Sequence, residues 1–346
     1  MKDKYLATFI GGADGESLGM SVEGWKPAQI QKHVGRVTEL IDPVIVRDSE
    51  GNELDHDEFG KLKYWTRDLS AGDITDDGIL TIAIAESIVA KNKLDLNDIM
   101  KKQFEAYNAC IQPDGHIFGG FGKSTIDAFE NFRKGIPPEN CGVFPGTGTG
   151  PCMKMSPVGL YMHATGRKED GKEMARLIGR ATHLDERAIA CGVVQAEAVY
   201  NLLNGVSRRE FIDSAIECCK KNEKVNSMIF PNAEKGNLLS RLNWIRNNEN
   251  VSSDEAKRVL GCSSLAIEAY PFTLFMFQKY WDNPIEGLID TINYGGDCDT
   301  TGAMYGALCG AKNGMIFPER WTQKLKEKDR LQNLGEQIYS LGAQNV

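Results

Sequence analysis

The chain has 346 residues, 41% hydrophobic and 25% charged, an ordinary globular composition that excludes collagen-like, low-complexity and disordered classes. Its 40 basic and 48 acidic residues leave a formal charge of −8, and no long basic stripe tracks a phosphate backbone, so nucleic acid is excluded as the main partner. No apolar run approaches the length that spans a bilayer, so no membrane partner is expected.

The opening "MKDKYLATFIGGADGESLG" carries two lysines and a short apolar run. Asp14 and Glu16 follow at once without a small-x-small cleavage site, which reads against a secretory signal. Nine cysteines, an odd number without C-x-x-C spacing, fit a reducing cytosol, and a cytoplasmic protein is the expectation. Residues 25–72 form a polar, turn-rich insertion in which "VIVRDSEGNEL" (44–54) predicts a short hairpin around Glu50-Gly51. "TDDGILTIAIAESIVAKNK" (75–93) opens on acids, is apolar nearly all round and ends in lysines, as a buried helix does.

"PDGHIFGGFGKST" (113–125) and "FPGTGTGPCMKMSP" (144–157) read as glycine-rich loops followed by helices; interleaved apolar residues distinguish them from flexible linkers. His116 and the "DHD" at 55–57 read as solvated loop residues and take no role. "DERAIACGVVQAEAVYNLLNG" (185–205) is a helix stopped at Gly205. "SRREFIDSAIECCKKN" and "SSDEAKRVLG" each start after a serine placed to cap them. With no series of alternating strands and no repeat of 20–50 residues, helical patterns dominate, and the length allows one domain over 1–346, or two.

"NYGGDCDTTGAMYGALCGAKNG" (293–314) sets two acids before a stripe of Gly302, Gly306, Gly310 and Gly314. Each helical glycine costs about 1 kcal/mol relative to alanine, so close approach to a neighbouring helix must recover the loss. Asp297, Asp299 and Thr300 then cluster at the helix start, as Thr75, Asp76 and Asp77 do at theirs. Taken alone, each triplet is explained by capping and the helix dipole. An EF-hand fails because Leu308 stands where the bidentate glutamate belongs. If the two starts converge, four carboxylates meet in a poorly solvated cleft and require cations or protons. Oxygen ligands without a nearby histidine favour Mg²⁺ or Mn²⁺, with Ca²⁺ next, over zinc. Cys298, between the acids, is expected to point away from them.

At these residues the sequence resembles the ADP-ribosylglycohydrolase family, the dinitrogenase-reductase-activating and ADP-ribosyl-arginine or -serine hydrolases, from about residue 6 to about residue 325. "GESLGMSVEGW" is similar to the family's opening, followed by a metal-side glutamate, here Glu23. "TDDGILTIAIAES" and "NYGGDCDTTGAMYGALCGAKNG" resemble its two aspartate motifs, and "GKSTIDAFENFRKG", "GTGTGPCMKMSPVGLY" and "THLDERAIACGVV" its substrate-facing loops. Two positions depart. Glu16 stands where aspartate is commoner, and Gly78 stands where a second threonine is usual, which removes a hydroxyl near the metals.

The resemblance implies an all-α fold with two Mg²⁺ ions in a central cleft, Mn²⁺ being the alternative. The implied ligands are Thr75, Asp76, Asp77, Asp297, Asp299 and Thr300. Glu23, then Asp299, would manage protons during hydrolysis of a glycosidic bond at ribose C1. On its own the loop Gly146, Thr147, Gly148, Thr149, Gly150 reads as an ordinary turn; beside the family match it is a candidate diphosphate cradle. His183, otherwise a capping or packing residue, would contact the phosphates or distal ribose. The implied partner is an ADP-ribosylated protein or small molecule. A nucleoside or other glycoside hydrolase with the same metals, motivated by Gly78 and the 25–72 insertion, and a non-catalytic binding or structural protein are the alternatives.

Overall fold

The computed structural model describes residues 1–47, 49–51, 56–57, 60–61, 68–224 and 235–342. The chain opens with α1 (Lys2–Gly19), a 3₁₀ turn at Met20–Val22 and α2 (Pro27–His33). A two-stranded antiparallel ribbon, β1 (His56–Asp57) and β2 (Gly60–Lys61), is the only sheet among the described residues. Helices α3 (Asp76–Lys91), α4 (Leu96–Ala109) and α5 (Lys123–Arg133) follow, then α6 (Gly150–Met153), α7 (Ser156–Thr165), α8 (Lys168–Arg180) and α9 (Glu186–Leu203). The remainder comprises α10 (Arg208–Asn222), α11 (Leu238–Asn247), α12 (Ser253–Leu260), α13 (Ala266–Lys279), α14 (Pro284–Asn293), α15 (Cys298–Asn313), α16 (Glu319–Thr322) and α17 (Lys328–Leu341). The fold is all-α, as the periodicity predicts.

Local signals worked where the cap is local. Ser207 accepts from Glu210 N, Ser252 from Glu255 N, and Asp185 from Arg187 N and Ala188 N. Helix α9 ends at Leu203, two residues before Gly205, whose φ is +80°. The ribbon lies C-terminal to the turn expected at Glu50-Gly51, because the paired residues are His56–Lys61 and Asp57–Gly60. Of the 44–54 hairpin, residues 48 and 52–54 lie outside the described residues, as does Asp55 of "DHD".

The centre of the molecule is α15, buried at every position from Cys298 to Ala311. Three of its glycines face backbone, with the Ile292 side chain also close to Gly302. A Cβ on Gly302 would overlap the carbonyl oxygen of Gly15, one on Gly306 that of Gly11, and one on Gly310 that of Ala7. In return, Gly11, Gly15 and Gly19 of α1 lie on the carbonyls of Gly306, Gly302 and Cys298. The two helices therefore run antiparallel, backbone against backbone, with the C-terminus of α1 beside the N-terminus of α15. Gly314 is not part of this contact: at φ +80° it is the C-cap, and α15 stops at Asn313. A large apolar cluster surrounds the pair, and a smaller one, including Leu80, Met100, Tyr107 and Phe129, lies beneath the 113–125 loop. No helix among the described residues is long and apolar enough to cross a membrane.

Alanine is the better helix former, so Gly306→Ala would stabilise an isolated helix by about 1 kcal/mol. Here the added methyl meets a carbonyl oxygen, and overpacking should instead lower the unfolding free energy by about 1–3 kcal/mol in urea titrations. A gain in stability would refute the contact.

Candidate metal centre

Neither acid-rich helix start is capped by its own side chains, which corrects the capping explanation. Thr75 occupies the N-cap position of α3 and Asp297 that of α15, and neither side chain accepts a capping bond. At α3 the cap comes from another helix. Glu16, in the last turn of α1, accepts through Oε2 from Thr75 N at 3.1 Å, Gly78 N at 2.9 Å and the Thr75 hydroxyl at 3.0 Å. The N–H of Asp76 donates to the Gly119 carbonyl at 2.7 Å. With these first-turn donors satisfied, the carboxylates of Asp76 and Asp77 are released from the role that acids at a helix start usually perform.

The glycine pair before Asp297 places the second set. Gly295 and Gly296 both have positive φ, +65° and +75°, and a Cβ on either would overlap a carbonyl oxygen, of Trp25 and Cys262 respectively. Gly24 N donates to Gly296 O at 2.7 Å, Gly296 N to Trp25 O at 2.9 Å, and Asp297 N to Cys262 O at 2.9 Å. These bonds seat Glu23, just past the end of α1, beside the start of α15. Glu23, Asp297 and Asp299 each offer a carboxylate oxygen, all within 4.8 Å of one another.

The two starts meet. Thr300 donates its hydroxyl to Asp77 Oδ2 at 3.2 Å across 223 positions of chain, and Thr149 donates to Asp297 Oδ2 at 3.1 Å. A cleft of about 320 Å³ is lined by Glu23, Asp76, Asp297, Asp299, Thr300 and the loop Gly146–Gly150. Asp77 and Thr75 lie one layer deeper. Asp77 Oδ2 accepts from the Thr300 hydroxyl and shares the single Thr75 hydroxyl proton with Glu16, while Oδ1 is buried with no hydrogen-bond partner among the described residues. Cys298 turns away, its thiol donating to the Gly19 carbonyl at 3.3 Å.

The loop's alternate glycines have a physical reason. His183 lies beneath them: a Cβ on Gly150 would come 2.5 Å from its ring, and one on Gly146 2.8 Å from its Cα. The ring Nδ1 pairs with the Thr182 hydroxyl at 2.7 Å. Burial holds His183 down to about 3, with Lys154 adding to the effect, so the ring is neutral at pH 7 and brings no positive charge to the cleft.

The acids are in an unfavourable environment. Burial raises Asp76 well above the usual carboxylate range, and Glu23, Asp297 and Glu16 push it further. Asp77 is raised by burial and then by Asp76, Glu16 and Asp297. Burial lifts Glu16 to about 8, against the hydrogen bonds from Gly78 and Thr75. Sequence reasoning missed the cation behind them. Lys154 is fully buried, its Nζ has no hydrogen-bond partner, and burial lowers it to about 8 while Asp76 opposes that shift. The one signal was a lysine in the apolar run "PCMKMSP". Phe144, 68% exposed and next to the cleft residue Pro145, was likewise passed over. An oxygen-only set of crowded carboxylates, with a buried orphan oxygen on Asp77, fits a hard divalent cation.

The carboxylates gathered at the helix ends mark one cleft of an all-α fold, and the family match gives the class of hydrolase to which it belongs. The ADP-ribosylglycohydrolase family model matches residues 1–345, and the chain belongs to this family. It is 26% identical to the ADP-ribosyl-[dinitrogen reductase] glycohydrolase of Rhodospirillum rubrum, covering 94% of this chain and 91% of that protein. It is 24% identical to ADP-ribosylhydrolase ARH3 of Homo sapiens, covering 77% and 78%. A solved structure described as an ADP-ribosylglycohydrolase-related protein complex shares the fold with a TM-score of 0.71 at 23% identity, covering 99% and 98%.

At Asp76, Asp77 and Glu16, all raised, the folded metal-free protein holds more protons than the unfolded chain, while His183, lowered from 6.5 to about 3, opposes them below about 6.5. The Glu16 contribution is complete below its unfolded value near 4.5 and is lost as pH rises through about 8, and those of Asp76 and Asp77 run in the same direction. Thermal stability in a chelator should therefore fall between about pH 6.5 and about pH 8, and added Mg²⁺ should recover most at the alkaline end. A metal-free protein that grows more stable over that window contradicts this electrostatic account.

Proposed function

We propose that the protein hydrolyses an N- or O-glycosidic bond at ribose C1, removing ADP-ribose from a modified protein side chain or a small molecule. The observation that carries the reading is the meeting of Glu23, Asp76, Asp297 and Asp299 in one cleft with the Gly146–Gly150 loop. Two Mg²⁺ ions, with Mn²⁺ as the substitute, would be held by Asp76, Asp77, Asp297 and Asp299 with Thr75 and Thr300, and would supply Lewis-acid charge at the ribose hydroxyls and activate water. The cleft volume suits a small-molecule site.

Within this reading the side chains divide the work. Glu23 accepts a proton from water or returns one to the leaving group, with Asp299 the second candidate. The carboxylates oppose the oxocarbenium charge that builds as the bond from C1 breaks. Thr149 orients Asp297 through its hydroxyl. The Gly146–Gly150 backbone rests on the neutral His183, which supports it from below, and would offer its N–H groups to a diphosphate. Phe144 offers an aromatic face at the rim for the base. The reading takes 1–346 as one domain, in the cytoplasm, with an ADP-ribosylated partner.

The Gly78 amide donates to Glu16 and a Cβ there would meet that carboxylate, which favours a packing role for the bare position over the nucleoside reading it otherwise motivates. Retention of every implied ligand likewise speaks against a non-catalytic role.

Asp297→Asn should reduce ADP-ribose release from ADP-ribosylated serine or arginine substrates by more than about 100-fold while the helical circular dichroism persists. Unchanged release in that variant removes Asp297 from the site, and release of free base from nucleosides in place of ADP-ribose overturns the substrate class.

A further inference from the structure

We propose that Glu16 and Gly78 form a matched pair of positioning residues, Glu16 supplying from α1 the cap that α3 lacks and the bare Gly78 leaving the room that this cap needs. The inference rests on the reading of the cleft as a divalent-metal site and adds a requirement to it. These are the two positions at which the chain departs from the family pattern it resembles, and the structure brings them into contact.

A helix beginning Thr-Asp-Asp ordinarily satisfies its first N–H groups with its own side chains. Here that would turn an aspartate back onto the helix and away from the other carboxylates. A single Glu16 oxygen instead takes the Thr75 N–H, the Gly78 N–H and the Thr75 hydroxyl. The carboxylate cannot swing aside without losing all three bonds, and its residue is 1% exposed. A Cβ at position 78 would overlap Glu16 Oε1 and come 3.0 Å from both Glu16 Cδ and Ile74 Cβ. Any side chain at 78 therefore displaces the cap, and through it the start of α3 that carries Asp76 and Asp77.

The geometry also identifies the compensating change. Shortening Glu16 to aspartate withdraws the carboxylate by about one C–C bond, roughly 1.5 Å. The vacated volume adjoins a small cavity of about 20 Å³, bordered by Thr8, Asp77, Gly78, Thr81 and Ser156, which is room for about one water. On this proposal a threonine at 78 takes up that combined space, with a small shift against Ile74, and its hydroxyl donates to the shortened acid. Aspartate with threonine and glutamate with glycine are then two solutions to one packing problem, and mixed pairs are not.

The test compares Glu16→Asp, Gly78→Thr and the double variant in the full chain by Mn²⁺ calorimetry, alongside unfolding without metal. Each single variant should weaken Mn²⁺ binding by about 10- to 100-fold, and the double variant should return to within about threefold of the parent. A purely structural role would lower the unfolding midpoint but leave the affinity of folded protein unchanged, and that result overturns the proposal. So does a double variant whose loss equals the product of the two singles, or one that does not fold. If Gly78→Thr alone fails to fold, a folded, Mn²⁺-binding double variant still supports the pair. A parent protein that binds no Mn²⁺ overturns the metal reading and this inference with it. One that binds Mn²⁺ and shows rescue without releasing ADP-ribose leaves the pair standing and rejects only the substrate.

Discussion

Helices α1 and α15 touch through their backbones, and the rest of the structure depends on that contact. With hydrogen as the only side chain at three positions of each partner, carbonyl oxygens occupy the places where Cβ atoms would be, every fourth residue along both helices. Such a contact has few acceptable registers, because a shift of one residue drives alanines or larger side chains into carbonyl oxygens. The register it does accept puts Glu16 and the turn to Glu23 beside Asp297 and Asp299. Glycine's unfavourable helix propensity is offset by surface burial along a helix enclosed from Cys298 to Ala311.

That scaffold holds together a group of like charges. Asp76 and Asp77 are desolvated and face one another's fields, with Lys154 as a buried cation behind them. A cluster of this kind does not stabilise a fold; burial without full pairing costs free energy, which the surrounding packing must overcome. The same features give a divalent cation its advantage, since it neutralises several carboxylates at once. The cleft's other wall follows a similar logic: the Gly146–Gly150 loop lies directly on the His183 ring, so its shape comes from packing beneath it.

Much of the fold was legible from local pattern. Helix starts at Asp185, Ser207 and Ser252 were readable because the cap and the capped N–H are three or fewer residues apart. The acids at 76–77 and 297–299 were readable as a potential site because residue type and helix start coincide. Other features were present but unread. Gly11, Gly15 and Gly19 repeat the four-residue spacing of the α15 stripe, and that second stripe names its partner helix. Glu16 looked like a conservative departure and Gly78 like a change in substrate; neither could be joined to the other, because they meet only once α1 packs against the start of α3.

The sequence by itself determined the helical class, the caps that act within one turn, and the chemistry available: carboxylates and hydroxyls in two clusters, and glycines where backbones must approach. Those properties belong to residue type and short spacing, and they survive in any arrangement of the helices. Tertiary structure alone decided that the clusters meet, that Glu23 joins Asp297 and Asp299, that Asp77 and Thr75 lie behind the cleft, and that Lys154 is buried there. Each of these is a distance between segments remote in sequence, set by how the glycine-lined backbones of α1 and α15 fit together, and no local pattern encodes such a distance.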